Sequence, residues 1–233
     1  MLKQALILAG GKGTRLGKIT RETPKPLLLV AGKPFIEHLI IFLKQQGIKK
    51  ILISTGYKAN KFEEYISSNP FEGIEIKCIS EPEPLGTGGA VKFLEDHLDS
   101  SFLVLNGDTI FNIQLKELAE LIAISTDHIC SIALRRTLNT ARYGQVVLQD
   151  HKILGFSEKV SASPNSNIIN GGIYCMKRDI FEYIPPGVSS LENDIFPGMA
   201  EKGLLTGKIF DNYFIDIGIP EDLKRAQTEL ITS

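Results

Sequence analysis

The residues best suited to chemistry lie near the N-terminus, in Gly10-Gly11-Lys12-Gly13-Thr14-Arg15-Leu16-Gly17, directly after the apolar run Ala5-Leu6-Ile7-Leu8-Ala9. Glycine lacks the Cβ that keeps a ligand off the backbone, so successive N–H groups can turn inward and form a nest for an anion. Lys12 and Arg15 add positive charge beside the nest, and Pro24-Lys25-Pro26 follows a short way on. The flanking prolines restrict the chain and hold the Lys25 amine in place. Fixed cations on a preorganised backbone suit a phosphate group whose charge rises during reaction. The spacing departs from the P-loop pattern, and Leu16 stands where a dinucleotide fingerprint needs its third glycine. A tight turn beside a solvated lysine is the plain alternative.

Two carboxylates invite a second reading. Asp108 ends Phe102-Leu103-Val104-Leu105-Asn106-Gly107-Asp108, and Asp216 follows Tyr213-Phe214-Ile215. In open α/β sheets ligands sit beyond the carboxyl ends of the strands. A pair of acids there can hold one Mg²⁺, which takes few protein oxygens and keeps water and substrate phosphates in its shell. Taken singly, each is equally a turn or helix-cap residue. His38, His97, His128 and His151 are scattered without partner spacing, and no Ser/His/Asp or Cys/His set accompanies them.

Glu81-Pro82-Glu83-Pro84-Leu85-Gly86-Thr87-Gly88-Gly89-Ala90 forms a stiff, then flexible, entry to a helix, and its glycines allow a flat base to lie against the backbone. The Glu81 carboxylate can accept both N1–H and N2–H of guanine, where uracil offers a single donor. The alternative makes Glu81 and Glu83 solvated charges at a rim.

Positioning these groups requires a sheet. Ala5–Ala9, Ile51–Ile53 and Phe102–Leu105 are short continuous apolar runs, the pattern of strands buried on both faces. Helical patterns lie between them: one from Pro34 to Gly47 with Ile36, Leu39, Ile40 and Leu43 on one face, one over Lys58–Ser67, and one after Gly89 carrying Val91, Leu94 and Leu98. Beyond residue 126 the texture becomes β-rich, with strands expected at Ile129–Leu134, Tyr143–Leu148, Ile153–Phe156 and Ile168–Met176, and helices returning at Leu191–Glu201 and Glu221–Leu230. The fold class is α/β, a Rossmann-like mixed, mainly parallel sheet with helices on both faces.

Composition narrows the remaining classes. Lys and Arg number 26 against 27 Asp and Glu, so no excess of cation marks a nucleic-acid surface. No apolar stretch is long enough for a membrane span, and the N-terminus lacks the pattern of a signal peptide. Cys78, Cys130 and Cys175 are odd in number and sit in mostly apolar runs, which suggests buried free thiols in a reducing cytoplasm.

Leu8-Ala9-Gly10-Gly11-Lys12-Gly13-Thr14-Arg15-Leu16, followed by Pro24-Lys25-Pro26, resembles the signature of sugar-1-phosphate nucleotidylyltransferases, which join a nucleoside triphosphate to a sugar 1-phosphate and release pyrophosphate. The resemblance implies the nucleotide-diphospho-sugar transferase fold, as one domain over residues 1–233 with a nucleotide-binding half (1–125) and a sugar-phosphate-binding half (126–233). It implies nucleotide contacts at Leu8, Ala9, Gly10, Gly11, Gly13, Thr14, Arg15, Glu81, Gly86, Thr87, Gly88, Asn106 and Gly107. Arg15 and Lys25 become the catalytic cations, the first steadying the departing pyrophosphate and the second lying beside the α-phosphate and sugar phosphate. Asp108 and Asp216 become ligands of Mg²⁺. The sugar phosphate falls to Lys25, Gly144, Glu158, Lys159, Asn170 and Gly171.

Within the family, Leu85–Ala90, Asn106-Gly107-Asp108-Thr109, Ser190-Leu191-Glu192-Asn193-Asp194 and Phe214–Asp222 are most similar to bacterial guanylyltransferases acting on D-glycero-α-D-manno-heptose 1-phosphate. That similarity implies GTP as donor and GDP-heptose as product. Mannose-1-phosphate guanylyltransferases and N-acetylmuramate-1-phosphate uridylyltransferases share most of the same features. A non-catalytic, nucleotide-sugar-binding relative is expected to lack Arg15, Lys25, Asp108 or Asp216, and all four are present. The implied partners are small molecules, with neither nucleic acid nor membrane, and the chain is a monomer or homo-oligomer. With the last expected helix close to residue 233, the β-helix and second activity of acetyltransferase-fused relatives are not expected.

Overall fold

The computed structural model describes residues 2–137, 145–157 and 167–230. The elements begin with β1 (Gln4–Leu8), β2 (Leu29–Val30), β3 (Lys33–Pro34), α1 (Phe35–Gln45), β4 (Lys50–Thr55), α2 (Ala59–Ser68), β5 (Glu75–Ser80), α3 (Gly86–Phe93) and β6 (Ser101–Asn106). Next come β7 (Thr109–Phe111), α4 (Leu115–Ile124), β8 (Cys130–Arg136), β9 (Gln145–Gln149), β10 (Lys152–Ser157) and β11 (Ile168–Lys177). After a π-helical turn at Leu191–Ile195 the chain ends with α5 (Phe196–Glu201), β12 (Leu205–Ile209), β13 (Phe214–Asp216) and α6 (Pro220–Glu229). These elements form two compact units that interleave along the sequence. One holds Lys3–Pro84, Leu105–Asn112 and Tyr213–Ser233; the other holds Leu85–Val104 and Ile113–Asn212 together with the first two residues.

In the first unit β5, β4 and β1 are parallel neighbours, with Ile7 opposite Ile53 and Ile53 opposite Cys78. The apolar runs explain this: Ala5, Leu6 and Ile7 are fully buried, and Ile51, Leu52 and Ile53 nearly so. Phe35, Ile36, Leu39, Ile40 and Leu43 of α1 recur at helical spacing and are buried. Gly47, at φ +82°, takes the left-handed conformation that closes the helix and returns the chain to the sheet. Two short ladders complete the unit, β2 with β3 and β7 with β13, both antiparallel.

The second unit follows the order β6-β11-β8-β12-β10-β9. Here β11 with β8, β12 with β10 and β10 with β9 run antiparallel, while β8 and β12 run parallel. The sheet is thus mixed, as the change of texture past residue 126 implies.

Three expectations need correction. The helix expected after Gly89 begins at Gly86 and ends at Phe93, so Leu94 and Leu98 are buried beyond it. Its start is set from outside, since the Ser189 carbonyl accepts the N–H groups of Gly88 and Gly89 at 2.9 and 3.2 Å. The helix expected over Leu191–Glu201 is a π-helical turn followed by α5, and Pro197, which has no N–H to donate, sits where the two meet. Cys130 and Cys175 are buried free thiols, but Cys78, on β5, is only half-buried. Tyr143, the expected start of β9, lies outside the described residues. Among the described residues no helix is long and apolar enough to cross a membrane.

Candidate active site

The glycine turn is held at both ends. Ala9 N–H donates to the Ser54 carbonyl at 2.8 Å, extending the β1–β4 register to the edge of the loop. Gly13 takes a left-handed φ of +63°, and its carbonyl accepts from the Thr20 hydroxyl at 3.0 Å. Leu16 is buried and pins the segment, whereas Gly11, Thr14 and Arg15 stay exposed. A Cβ on Gly13 would lie 3.4 Å from the Lys25 side chain, so the lysine stem runs under the turn. Lys25 is only 8% exposed, and its Nζ reaches Asp108 Oδ2 at 2.6 Å.

Asp108 follows a turn that accepts only glycine at its centre. Gly107 donates its N–H to the Leu8 carbonyl at 2.9 Å, and a Cβ there would stand 2.6 Å from that same oxygen. The β7–β13 ladder then pairs Thr109 with Asp216, and Ile217 N–H closes on the Asp108 carbonyl at 3.0 Å. The two aspartates, far apart in sequence, are thereby brought together. Burial, and next the charge of Asp108, push the Asp216 carboxyl up to about 6; the Gly218 N–H, Lys25 and Arg15 pull the other way. Gly218 N–H donates to Asp216 Oδ1 at 2.6 Å, and a Cβ on Gly218 would lie 3.3 Å from the Arg15 guanidinium. Arg15, Lys25, Asp108 and Asp216 therefore form one cluster at the mouth of the glycine turn.

This donor set fits a divalent cation. Two hard carboxylates that repel each other are relieved by an ion between them. Among the described residues no group of three or more His, Cys, Asp or Glu stands ready to hold a metal alone. An ion at Asp108 and Asp216 would complete its shell with water and phosphate oxygens.

Glu81 is not a solvated rim charge. It is buried, and it accepts the Ser54 hydroxyl at 2.7 Å. A Cβ on Gly10 would lie 2.5 Å from its Oε1, so this glycine is what lets the carboxylate come up beneath the loop. Glu83 is exposed, as the rim reading expects. Nothing in the sequence marks Ser54 as the partner of Glu81, because a lone serine near the end of an apolar strand carries no motif.

In the second unit, Gly86 (φ +73°), Gly88 and Gly89 pack against the 187–189 segment, and a Cβ on Gly88 would meet Ser189 Oγ at 2.6 Å. Their lack of side chains is thus used by the protein's own packing. The Thr87 hydroxyl donates to Glu192 and accepts from Leu191 N–H. Asn170 is half-buried with its amide bonded to Tyr174 and Gly172, and Gly171 is buried beside it. Gly144, Glu158 and Lys159 lie outside the described residues.

A turn lined with amides and cations, opposite carboxylates able to share a divalent ion, can gather polyphosphate and neutralise it while a phosphorus–oxygen bond changes hands. The chain belongs to the nucleotidyl transferase family, which it matches over residues 4–233. It is 38% identical over 230 residues to the D-glycero-alpha-D-manno-heptose 1-phosphate guanylyltransferase of Aneurinibacillus thermoaerophilus, covering 97% of this chain and 98% of that one. It is 40% identical over 220 residues to the protein of the same name in Campylobacter jejuni, covering 94% and 96%. Among solved structures, HddC from Yersinia pseudotuberculosis is similar at a TM-score of 0.86 and 33% identity, over 98% of this chain and 100% of that one. A second HddC structure, complexed with GMP-PN, gives a TM-score of 0.85. The fold is the Rossmann-like one of nucleotide-diphospho-sugar transferases, as the resemblance in the sequence implies.

Proposed function

We propose that the protein transfers the guanylyl group of GTP to D-glycero-α-D-manno-heptose 1-phosphate, giving GDP-heptose and pyrophosphate. The observation that carries this reading is the cluster of Arg15, Lys25, Asp108 and Asp216 at the glycine turn, because the reaction must bring two polyanions together. The choice of GTP and heptose 1-phosphate rests on the similarity to the two heptose 1-phosphate guanylyltransferases. The buried Glu81 carboxylate supports guanine, since it can accept from both edge donors of that base.

In the reaction an oxygen of the sugar phosphate bonds to the α-phosphorus while the bond from that phosphorus to the bridging oxygen breaks, and pyrophosphate leaves with the electron pair. The attacking oxygen is already ionised near neutral pH, a phosphate monoester having its second pKa at about 6, so no general base is required. Lys25 offsets the charge that gathers between the α-phosphate and the sugar phosphate. Arg15 steadies the pyrophosphate, and the amides of Gly10, Gly11 and Gly13, with Thr14, hold the triphosphate. Asp108 and Asp216 would hold Mg²⁺, which when bound supplies positive charge against phosphate repulsion. By the same resemblance Asn170 and Gly171 contact the sugar, together with Gly144, Glu158 and Lys159. The three free cysteines suit a reducing cytoplasm, where we place the enzyme.

Pyrophosphate release from each nucleoside triphosphate, paired with a panel of sugar 1-phosphates in Mg²⁺, tests this reading. GTP with heptose 1-phosphate is the expected best pair. Turnover with UTP and none with GTP overturns the base, and a clear preference for mannose 1-phosphate overturns the sugar.

A further inference from the structure

Glu192, on the π-helical turn Leu191–Ile195, has no task in the proposed reaction, yet three hydroxyl groups converge on its carboxylate. One oxygen accepts from Thr87 Oγ1 at 2.7 Å and Ser190 Oγ at 3.0 Å, and the other accepts from the Tyr174 hydroxyl at 2.9 Å. A carboxylate only accepts, so the Tyr174 proton is committed to Glu192. The Tyr174 oxygen must then accept from its other neighbour, Asn170 Nδ2, at 2.9 Å. The far end of that amide agrees: Asn170 Oδ1 accepts the Gly172 N–H at 2.9 Å. A break in the β11–β8 register between Asn170 and Tyr174, with Gly172 at φ +72°, bends the backbone so that this last bond forms.

The polarity of the relay therefore runs from Glu192 through Tyr174 to Asn170 and turns the amide one way only. Tyr174 is fully buried, so water does not compete for its hydroxyl, and burial together with Glu192 keeps that hydroxyl protonated. Among the described residues nothing takes the second N–H of the Asn170 amide, which is thus available to a ligand.

We infer that Glu192 is a positioning residue for the sugar 1-phosphate: acting through Tyr174, it orients the half-buried Asn170 amide to donate a hydrogen bond to a sugar oxygen. This rests on the proposed assignment of Asn170 to the sugar.

Tyr174→Phe cuts the relay but leaves Glu192 with Thr87 and Ser190. The expected result is a rise of about tenfold in the KM for sugar 1-phosphate, the worth of one well-oriented hydrogen bond, with kcat and the nucleotide KM unchanged within about twofold. Glu192→Gln, whose amide can present a donor to Tyr174, gives a similar rise, and the double variant goes no further than either alone. An unchanged sugar KM in the folded variants, or a parallel shift of both KM values with the melting temperature, makes Glu192 a structural brace and overturns the inference. A second readout does not depend on the sugar used. The Asn170 side-chain amide protons, assigned by their loss in Asn170→Asp, should include one that exchanges slowly in the wild type and fast in Tyr174→Phe; fast exchange in the wild type overturns the relay. Failure of the proposed function looks different, as a wild type that does not turn over heptose 1-phosphate, and the kinetics are then read with the sugar phosphate it does use.

Discussion

The Lys25 ammonium stands 2.6 Å from Asp108 Oδ2, across 83 residues of chain. Both groups lose hydration there, and a buried ion pair returns that cost only when its geometry is good. In the proposed reaction the pair belongs to a charge site: the amine would lie where phosphate arrives, and Asp108 with Asp216 would offer oxygens to a cation.

Lys25→Met removes the buried cation and leaves the two aspartates facing each other. Turnover should fall by about 10²–10³-fold, the usual cost of losing one electrostatic contact to the transition state. Pyrophosphate-release kinetics measure the first effect, and calorimetry should show a lower melting temperature for the metal-free variant.

Removing the metal should separate Asp216 from its neighbours. Burial, and next the charge of Asp108, disfavour the ionised Asp216 carboxyl in the metal-free protein, so Asp216→Asn removes that cost and should melt no lower than wild type in chelator. Mg²⁺ should then raise the melting temperature of the wild type and leave that of the variant in place, while turnover of the variant falls strongly. An equal response to Mg²⁺ in both proteins would remove Asp216 from the metal site.

Glu81→Gln keeps the size of the side chain and an oxygen for Ser54, but an amide cannot accept both guanine donors on one edge. The preference for GTP over UTP, taken as the ratio of kcat/KM values, should drop by about tenfold or more. If the ratio holds, Glu81 serves only as a brace between Ser54 and the glycine turn.

Gly107→Ala drives a methyl group into the Leu8 carbonyl and should cost about 1–3 kcal/mol in denaturant unfolding. Turnover should fall with it, because Asp108 is the next residue. Gly11→Ala is the control: nothing lies within 4 Å of its Cβ position, so its stability should stay within about 0.5 kcal/mol of wild type.

Thiol chemistry checks the packing independently. Burial, with Glu63 nearby, pushes the Cys78 thiol up to about 11. A raised thiol pKa makes the reactive thiolate scarce below it, so alkylation at pH 8 should be slow and should quicken about tenfold for each pH unit towards 11. Cys130 and Cys175, fully or nearly buried, should react only on unfolding. Mass spectrometry of iodoacetamide-treated protein distinguishes the three; fast labelling of Cys78 at pH 8 would contradict its environment.

Much of the fold was legible where burial repeats locally. Continuous apolar runs mark β1, β4 and β6, and α1 shows its buried face at helical spacing. Other elements carry no such signature. In β5 half-buried and exposed residues are mixed, and β12, Leu205-Thr206-Gly207-Lys208-Ile209, is buried at Thr206 only because it lies between β8 and β10. With three residues each, β7 and β13 are too short to show a period at all.

The amino-acid order alone determined the chemical inventory: a glycine turn after a buried strand, cations at Arg15 and Lys25, and acids at Asp108 and Asp216 just past or at strand ends. These follow from residue type and near-neighbour spacing, which act over a few residues. Only the tertiary structure decided the partnerships, Lys25 with Asp108, Asp108 beside Asp216, Ser54 with Glu81 and Tyr174 with Glu192. Each depends on strand register and turn geometry joining distant segments, and the direction of a hydrogen bond exists only once both of its ends are in place.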